Sequence, residues 1–321
     1  MPKHSVLFTS RAPIGYVAIT ENEVCTNQGF KSIIPNANTD YLFLYYLLVH
    51  NRNRIENMGS GTTFKEISGS VMKDITVSVP SDIAEQRTIA GILGVLDDKI
   101  ENNKTINNHL EQIAQAIFKK EFVSLSSLPI GWQQASLIDI ADYLNGLAMQ
   151  KYRPTDDERG IPVLKIKELR QGGCDNNSEL CSPNIKSEYI IQNGDVIFSW
   201  SGSLLIDFWC DGICGLNQHL FKVSSKKYDK WFYYAWIKHY LNHFIAVAAD
   251  KATTMGHIKR DELIKTEVFI PTEEDYNRIG SLLNPIYDLI ISNRIENNQL
   301  AKTRNSLLPR LISGELDISE I

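Results

Sequence analysis

The sequence predicts an α+β chain of two related modules, the second complete and the first shortened, separated by two long helices of coiled-coil type. Three observations predict it. Residues 82–122 and 272–315 each carry a narrow apolar seam at helical spacing, interrupted by polar asparagines. Both stretches contain Ile-Glu-Asn-Asn, at Ile100–Asn103 and Ile295–Asn298. Short motifs of residues 1–80 also recur about 190 positions later.

The elements follow in order. Residues 1–80 form the first module and 81–123 the first long helix; 124–270 form the second module and 271–321 the second helix. Val6–Ser10 matches Val196–Trp200, Asn27-Gln28 matches Asn217-Gln218, and aromatic-rich Tyr41–Tyr46 matches Trp231–Trp236, all at an offset of 190. Thr62-Thr63 then matches Thr253-Thr254, and Pro80 matches Pro271, at 191. Each module reads as a strand, an Asn-Gln strand, an aromatic helix, a Thr-Thr loop and a strand ending in proline, before its long helix.

The first helical seam runs Ile89, Leu93, Leu96, Ile100, then Leu110, Ala114, Ile117, with Asn103 and Asn107 between. The second runs Ile279, Leu283, Ile286, Ile290, Asn293, Asn297, Leu300, Leu307, Leu311. Buried asparagine costs stability and specifies register, so each seam expects one particular mate, supplied by the same chain. Asp82 with Glu85, and Thr272 with Asp275, have the spacing of capped N-termini. The second module opens near Gly131-Trp132, after the Ser-rich linker Ser124–Pro129, with apolar stretches at 138–147 and 161–166. Counting back by the repeat, the first module lacks about 60 residues of this opening, through a shortened reading frame or because a separate chain supplies them.

Composition sets outer limits. The chain has 321 residues, 43% of them hydrophobic, and a net charge of −5. The two modules are near neutral, with 7 basic and 6 acidic residues in 1–80 and 16 and 17 in 131–271, so the acidity sits in the helices. Clustered cations on one face of a module can still meet phosphates. No apolar run reaches the ~20 residues of a membrane span, and Tyr41–Val49 reads as a buried helix. Met1-Pro-Lys-His begins no signal peptide, and five cysteines without a secretion signal imply reduced thiols in a cytoplasmic protein.

The catalytic patterns in the sequence do not hold together. Asn284-Pro-Ile-Tyr287 resembles an amine-holding methyltransferase loop but lies in a helical seam with no glycine-rich cofactor motif, and reads as a proline kink. Asp82 with Asp97-Asp98-Lys99 imitates nuclease spacing on what reads as an exposed helix face. His239 and His243 lack the glutamate of a zinc protease, and one or both read as solvent-facing. Cys174, Cys181, Cys210 and Cys214 do not have the spacing of common zinc knuckles and read as structural thiols. No phosphate loop occurs. The expectation is a protein with no catalytic residues, no metal and no cofactor of its own.

A binding reading survives. Gly59–Lys65 and Lys251–Arg260 occupy equivalent places, and their glycines, threonines and cations suit a sugar-phosphate backbone and base edges. The DNA-contact candidates are Ser10, Arg11, Gln28, Thr62, Thr63 and Lys65 in the first module. In the second they are Lys165, Lys167, Trp200, Gln218, His219, Thr253, Thr254, His257 and Lys259. Lys151, Arg153 and Arg170 are further candidates. Asn27 and Asn217 fit either a contact or a turn-capping role.

Leu7–Val17, Pro80 through Glu85-Gln86-Arg-Thr-Ile-Ala90, Asn193–Trp200, Leu216-Asn-Gln-His219 and Ser306–Leu316 together resemble the specificity subunits of type I restriction-modification systems. The resemblance spans nearly the whole chain. It departs where the first target-recognition domain lacks its beginning and where the second helix starts Glu273-Glu-Asp-Tyr276 instead of Glu-Gln. It implies two target-recognition domains held apart by two antiparallel helices, each domain reading one half of a split double-stranded DNA site. It implies docking of two modification subunits, joined by restriction subunits. S-adenosylmethionine, ATP and Mg2+ would then sit on those partners, and the chain itself would not be catalytic. A helix of ~40 residues is ~60 Å long, enough to span one turn of DNA, ~34 Å. The alternative is a truncated or decoy interaction subunit that binds modification subunits but reads one half-site, with self-association as a further expectation.

Overall fold

Alternation builds the sheet of the first module. In β1 (Val6–Thr9), Val6 and Phe8 are buried while Leu7 and Thr9 are half-exposed, the period-two pattern of a strand with one face on a core. β1 pairs antiparallel with β2 (Val17–Ile19) and β3 (Phe30–Ile33). The computed structural model describes all residues except 12, 62–64, 251–257, 317 and 319–321, and the side chain of Asp250. α1 (Tyr41–His50) packs behind this sheet, capped by Asp40, whose carboxylate accepts from the Leu42 and Phe43 amides at 3.0 Å. α2 (Arg52–Asn57) and α3 (Gly69–Lys73) follow, the latter capped by the Ser68 hydroxyl at Val71. Val6, Phe8, Ile14, Leu48, Ile55 and Ile67 form the core. Residues 74–80 form no strand, a correction to the expected strand ending at Pro80; no described strand pairs with them.

α4 (Ile83–Phe118) starts at Asp82, whose carboxylate accepts from Ala84 N–H at 2.9 Å. Glu85 stays exposed, and the next residue, Gln86, turns inward instead. Gln86 is 1% exposed. Its amide donates to the carbonyls of Asn38 (3.1 Å) and Pro80 (2.9 Å) and accepts from Asp40 N–H (2.9 Å). One buried side chain thereby ties the entry of α1 to the entry of α4.

A π-helical turn at Lys119–Val123 ends α4. The second module then runs β4 (Gln133–Ser136), α5 (Leu137–Ile140), β5 (Asp142–Asn145), β6 (Ile161–Leu164), α6 (Ile166–Gln171), β7 (Leu180–Cys181), β8 (Ile190–Ile191), β9 (Val196–Ser199), β10 (Leu205–Phe208), β11 (Cys214–Leu216), β12 (Leu220–Ser224), α7 (Lys230–Asp250), α8 (Arg260–Lys265) and β13 (Glu267–Ile270), before α9 (Glu273–Ser313). Its sheets have the orders β10-β9-β12-β5, β7-β6-β11-β8 and β13-β4. All four residues of β9 are buried, as in a strand covered on both faces. Phe198 and Phe208 pack with Trp231, Phe232, Trp236 and Phe244 of α7 in the largest core.

The sequence repeat is a repeat in register. Val6 faces Ile33 and Thr9 faces Phe30 in the first module; Val196 faces Val223 and Ser199 faces Leu220 in the second. The chain folds as two compact units, residues 1–101 with 299–321, and residues 102–298. Each holds part of both long helices. In the first unit, Ile89, Ala90 and Leu93 pack with Leu308, Leu311 and Ile312 against Phe43, Tyr46 and Leu47. Asp97 there accepts from the Tyr46 hydroxyl at 2.6 Å and pairs with Arg304, which takes it out of any metal-binding arrangement with Asp82.

In the second unit the asparagines meet. Asn103 donates to Glu296 (2.7 Å) and Asn297 (2.9 Å), and Asn293 donates to Asn107 (2.9 Å), which donates to the Ile290 carbonyl (3.3 Å). Arg294 joins Glu111 (2.8 Å) and Asp207, and Arg278 joins Glu121 (2.8 Å). Within each unit, α9 numbers fall as α4 numbers rise, the register of antiparallel contact. α9 is helical through Pro285, and Tyr287 is buried against Phe208 and Tyr234. Asn284–Tyr287 is therefore a turn of the helix, with Tyr287 in the core and Pro285 exposed, and not a loop.

Candidate nucleic-acid interface

In each module the central strand ends beside the turn that leads into its neighbour, and one backbone hydrogen bond brings in a later residue. Ile67 N–H donates to the Ser10 carbonyl at 2.9 Å, and Ile258 N–H donates to the Trp200 carbonyl at 2.9 Å. Both isoleucines are buried, so each bond fixes residue 67 or 258 at the strand end of its module. Neither isoleucine was a sequence candidate; the signal available was their common place just before the short helices α3 and α8.

In the second module, Trp200 donates through Nε1 to Asn145 Oδ1 at 3.0 Å and stacks on Phe221 at 5.6 Å. The Ser201 hydroxyl lies 3.0 Å from His219 Nδ1, and Gln218 Nε2 lies 3.3 Å from His219 Nε2. Asn217 is buried; its side chain accepts from His219 N–H at 3.2 Å, which favours the turn-forming role. Gly146 lies so close to the Asn217 backbone that a Cβ would collide with it, so glycine is required where β5 leaves the sheet. Trp200, Gln218 and His219 are thus brought together, with Asn145 and Ser201 as partners the sequence did not single out. Lys259 is exposed at the start of α8, next to the tethered Ile258. Thr253, Thr254 and His257 lie outside the described residues.

Three other cation candidates of this module are held by carboxylates. Lys165 and Arg153 (3.0 Å) both pair with Glu179, and Lys167 pairs with Asp175 at 3.2 Å. Lys165 and Arg153 hold the Glu179 carboxyl below its ordinary range. The Asn177 amide, then Lys167, do the same to Asp175. These exposed pairs are weak enough to exchange for a phosphate. Lys151 and Arg170 are exposed. Glu168, buried beneath, accepts from the Lys165 amide (3.3 Å) and the Ser178 hydroxyl (3.0 Å) and shapes the start of α6.

The first module places its candidates less uniformly. Ser10 is buried and its hydroxyl donates to the Gly29 carbonyl at 3.1 Å; it builds the strand end and does not reach solvent, a correction to its place among the contacts. Arg11 lies 3.7 Å from Glu66, and its Nε is shielded without a partner among the described residues. Gln28 and Lys65 are exposed, and Asn27 accepts from Gly29 N–H at 2.8 Å as a turn former. Thr62 and Thr63 lie outside the described residues.

Among the described residues no group of three or more His, Cys, Asp or Glu is placed to hold a metal. His239 and His243 are exposed on α7. Cys174 and Cys214 thiols lie 3.6 Å apart, and Cys181 and Cys210 are buried. No described helix is long and apolar enough to cross a membrane.

Residues 1–112 and 129–302 match the type I restriction modification DNA specificity domain. The chain belongs to that family. It is 31% identical to the MjaIX type I specificity subunit of Methanocaldococcus jannaschii, over all of this chain and 79% of that one. It is 22% identical to the HindI specificity subunit of Haemophilus influenzae, over 89% of this chain and 80% of that one. Its fold is like that of the type I S subunit of M. genitalium, with a TM-score of 0.62 at 17% identity, over 97% of this chain and 83% of that chain. As a specificity-family chain, its solvent-facing polar strand ends are the surfaces to consider for reading DNA.

Proposed function

We propose that the chain is the specificity subunit of a type I complex and reads a bipartite site on double-stranded DNA, one half per module. The observation carrying this reading is the duplicated constellation: a strand end, an Asn-Gln turn and a buried isoleucine, Ile67 or Ile258, whose amide donates to that strand end. Such a constellation offers base edges the side chains of Gln28 and Lys65 in one module, and Trp200, Gln218, His219 and Lys259 in the other. Arg11, Lys165 and Lys167 exchange their carboxylate partners for phosphates. Thr62, Thr63, Thr253, Thr254 and His257 complete the contacts.

The helices supply the spacing. At 36 and 41 residues, α4 and α9 are ~54 and ~62 Å long, more than one turn of DNA, ~34 Å. In this reading they set the gap between half-sites and dock two modification subunits, with restriction subunits joining the complex. S-adenosylmethionine, ATP and Mg2+ act on those partners, and this chain contributes recognition without chemistry. The test is methylation by the chain reconstituted with its modification subunits, read out by sequencing modified bases in a random DNA pool. The expected result is one split motif, in which Gln218→Ala with His219→Ala relaxes one half and leaves the other intact. Loss of specificity in both halves together, or methylation by this chain alone, would overturn the reading.

A further inference from the structure

Two of the cysteines that fit no zinc pattern meet in the second module. Cys214 opens β11 and is 0% exposed, in a core with Leu169, Ile197 and Trp209. β11 is an inner strand of the sheet β7-β6-β11-β8, paired with β6 on one side and β8 on the other. Cys214 therefore has a fixed place. Cys174 is half-buried against the same core, in the loop between α6 and β7. The two thiols lie 3.6 Å apart, although the residues are 40 positions apart in sequence.

The loop that carries Cys174 can close the remaining gap. Gly172 and Gly173 precede it, and Gly172 has a φ of 74°, a left-handed conformation that glycine adopts without strain. Cys174 N–H donates to the Asp211 carboxylate at 2.8 Å, which keeps the loop beside the entry of β11. A disulfide needs its sulfurs about 2.05 Å apart, so a shift of ~1.5 Å suffices. Access to the two thiols is unequal. An oxidant in solution reaches half-buried Cys174 before buried Cys214. Cys214 is also held as the thiol, first by its contact with Cys174 and then by burial, which suits the second sulfur to react and not the first. Among the described residues the pair belongs to no metal-holding group.

We propose that Cys174 and Cys214 are a peroxide-reactive dithiol that closes to a reversible disulfide. The Cys174 sulfur attacks one oxygen of hydrogen peroxide, the O–O bond breaks, and the departing hydroxide takes the Cys174 proton and leaves as water. The Cys214 sulfur then attacks the sulfenic sulfur. The S–S bond forms, the S–O bond breaks, and the second hydroxide leaves with the Cys214 proton as water. Two electrons pass from the two sulfurs to the peroxide. An added dithiol restores both thiols and is itself oxidised to its disulfide. Without Cys214 a second peroxide would carry the sulfenic acid to a sulfinic acid, which thiols do not reduce. That group would set a negative charge beside the Asp211 carboxylate and against an apolar core. The cross-link avoids it. It also straps the loop holding Asp175, the partner of Lys167, to the strand that runs into Asn217-Gln218-His219.

The experiment uses the full chain carrying Cys25→Ser, which removes the exposed thiol. The folded protein is treated with hydrogen peroxide and then cleaved at Glu179 and Asp211, cuts that separate Cys174 from Cys181 and Cys210 from Cys214. The expected result is a loss of about 2 Da, with the Cys174 peptide joined to the Cys214 peptide and both released by dithiothreitol. Cys214→Ser is expected to gain about 32 Da at Cys174, with about tenfold or more sulfinic acid than the chain with both thiols. Hydrogen exchange at β11 checks that this variant is folded. Cys174→Ser, at the half-buried position, is expected to abolish the link and leave Cys214 unmodified. An unchanged mass, or sulfinic acid at Cys174 while Cys214 is present, would overturn the proposal. So would a link joining Cys181 to Cys214, or one that forms only after unfolding in urea.

Discussion

Replacing the buried asparagine pair one member at a time, then together, tests the helix seam directly. Asn107 and Asn293 are 5% and 9% exposed and are joined by one hydrogen bond of 2.9 Å. Asn107→Leu strands the Asn293 amide, and Asn293→Leu strands the Asn107 carbonyl. A buried polar group left unpaired costs ~1–3 kcal/mol, on top of ~1 kcal/mol for the lost bond. Each single substitution is therefore expected to destabilise by about 2–4 kcal/mol. The double substitution strands neither partner and adds apolar contact, so it is expected within about 1 kcal/mol of the native chain. The coupling between the sites is then about 3 kcal/mol or more, far above the few tenths expected of independent sites. The assay is urea unfolding combined with hydrogen exchange of the amides at 102–118 and 284–298, which isolates the helix pair from the rest. Additive single effects, with the double substitution costing their sum, would refute the pairing.

Three other outcomes are expected. Gln86→Ala, which empties a buried site and leaves three backbone groups without their partner, is expected to destabilise residues 1–101 by about 2–4 kcal/mol; exchange protection at α1 reports it. The Asp275 carboxylate is held below its ordinary value of 3.8, first by the Trp132 indole N–H at 2.9 Å and then by Arg278. A depressed folded value means stabilisation is present above the unfolded value and lost as pH falls through the folded one. Trp132 emission is therefore expected to shift below about pH 3.8, and Asp275→Asn is expected to remove that transition. In thiol labelling, exposed Cys25 is expected to react first and Cys174 next. Burial pushes Cys181 up to about 11 and Cys210 up to about 12, and Cys214 is raised by its contact with Cys174 and by burial. Those three are expected to stay unlabelled until unfolding, and rapid labelling of Cys214 would contradict its place in the core.

Periodicity and repetition made much of the fold legible in the residue order. The seams through Ile89, Leu93, Ile279 and Leu283, the caps at Asp82 and Thr272, and the offset linking β1 to β9 depend on near neighbours or on self-similarity. The strand expected at the end of the first module was not formed, because a strand depends on a partner. Residues 76–79 and 267–270 occupy equivalent places, with Val77 matching Val268 and Val79 matching Ile270, but only the second set has β4 beside it. Local pattern proposes a strand; a neighbouring edge is needed to satisfy its backbone.

The candidate site divides along the same line. That Trp200, Gln218 and His219 are contact candidates followed from their repeated positions. That Ser10 turns inward while Lys165 and Lys167 are held by Glu179 and Asp175 did not, because those partners are set by the path of the chain. Side-chain identity and spacing specify what a residue can bond. Only the folded chain decides which of those bonds are already taken, because burial and distance between residues far apart in sequence are properties of the tertiary structure.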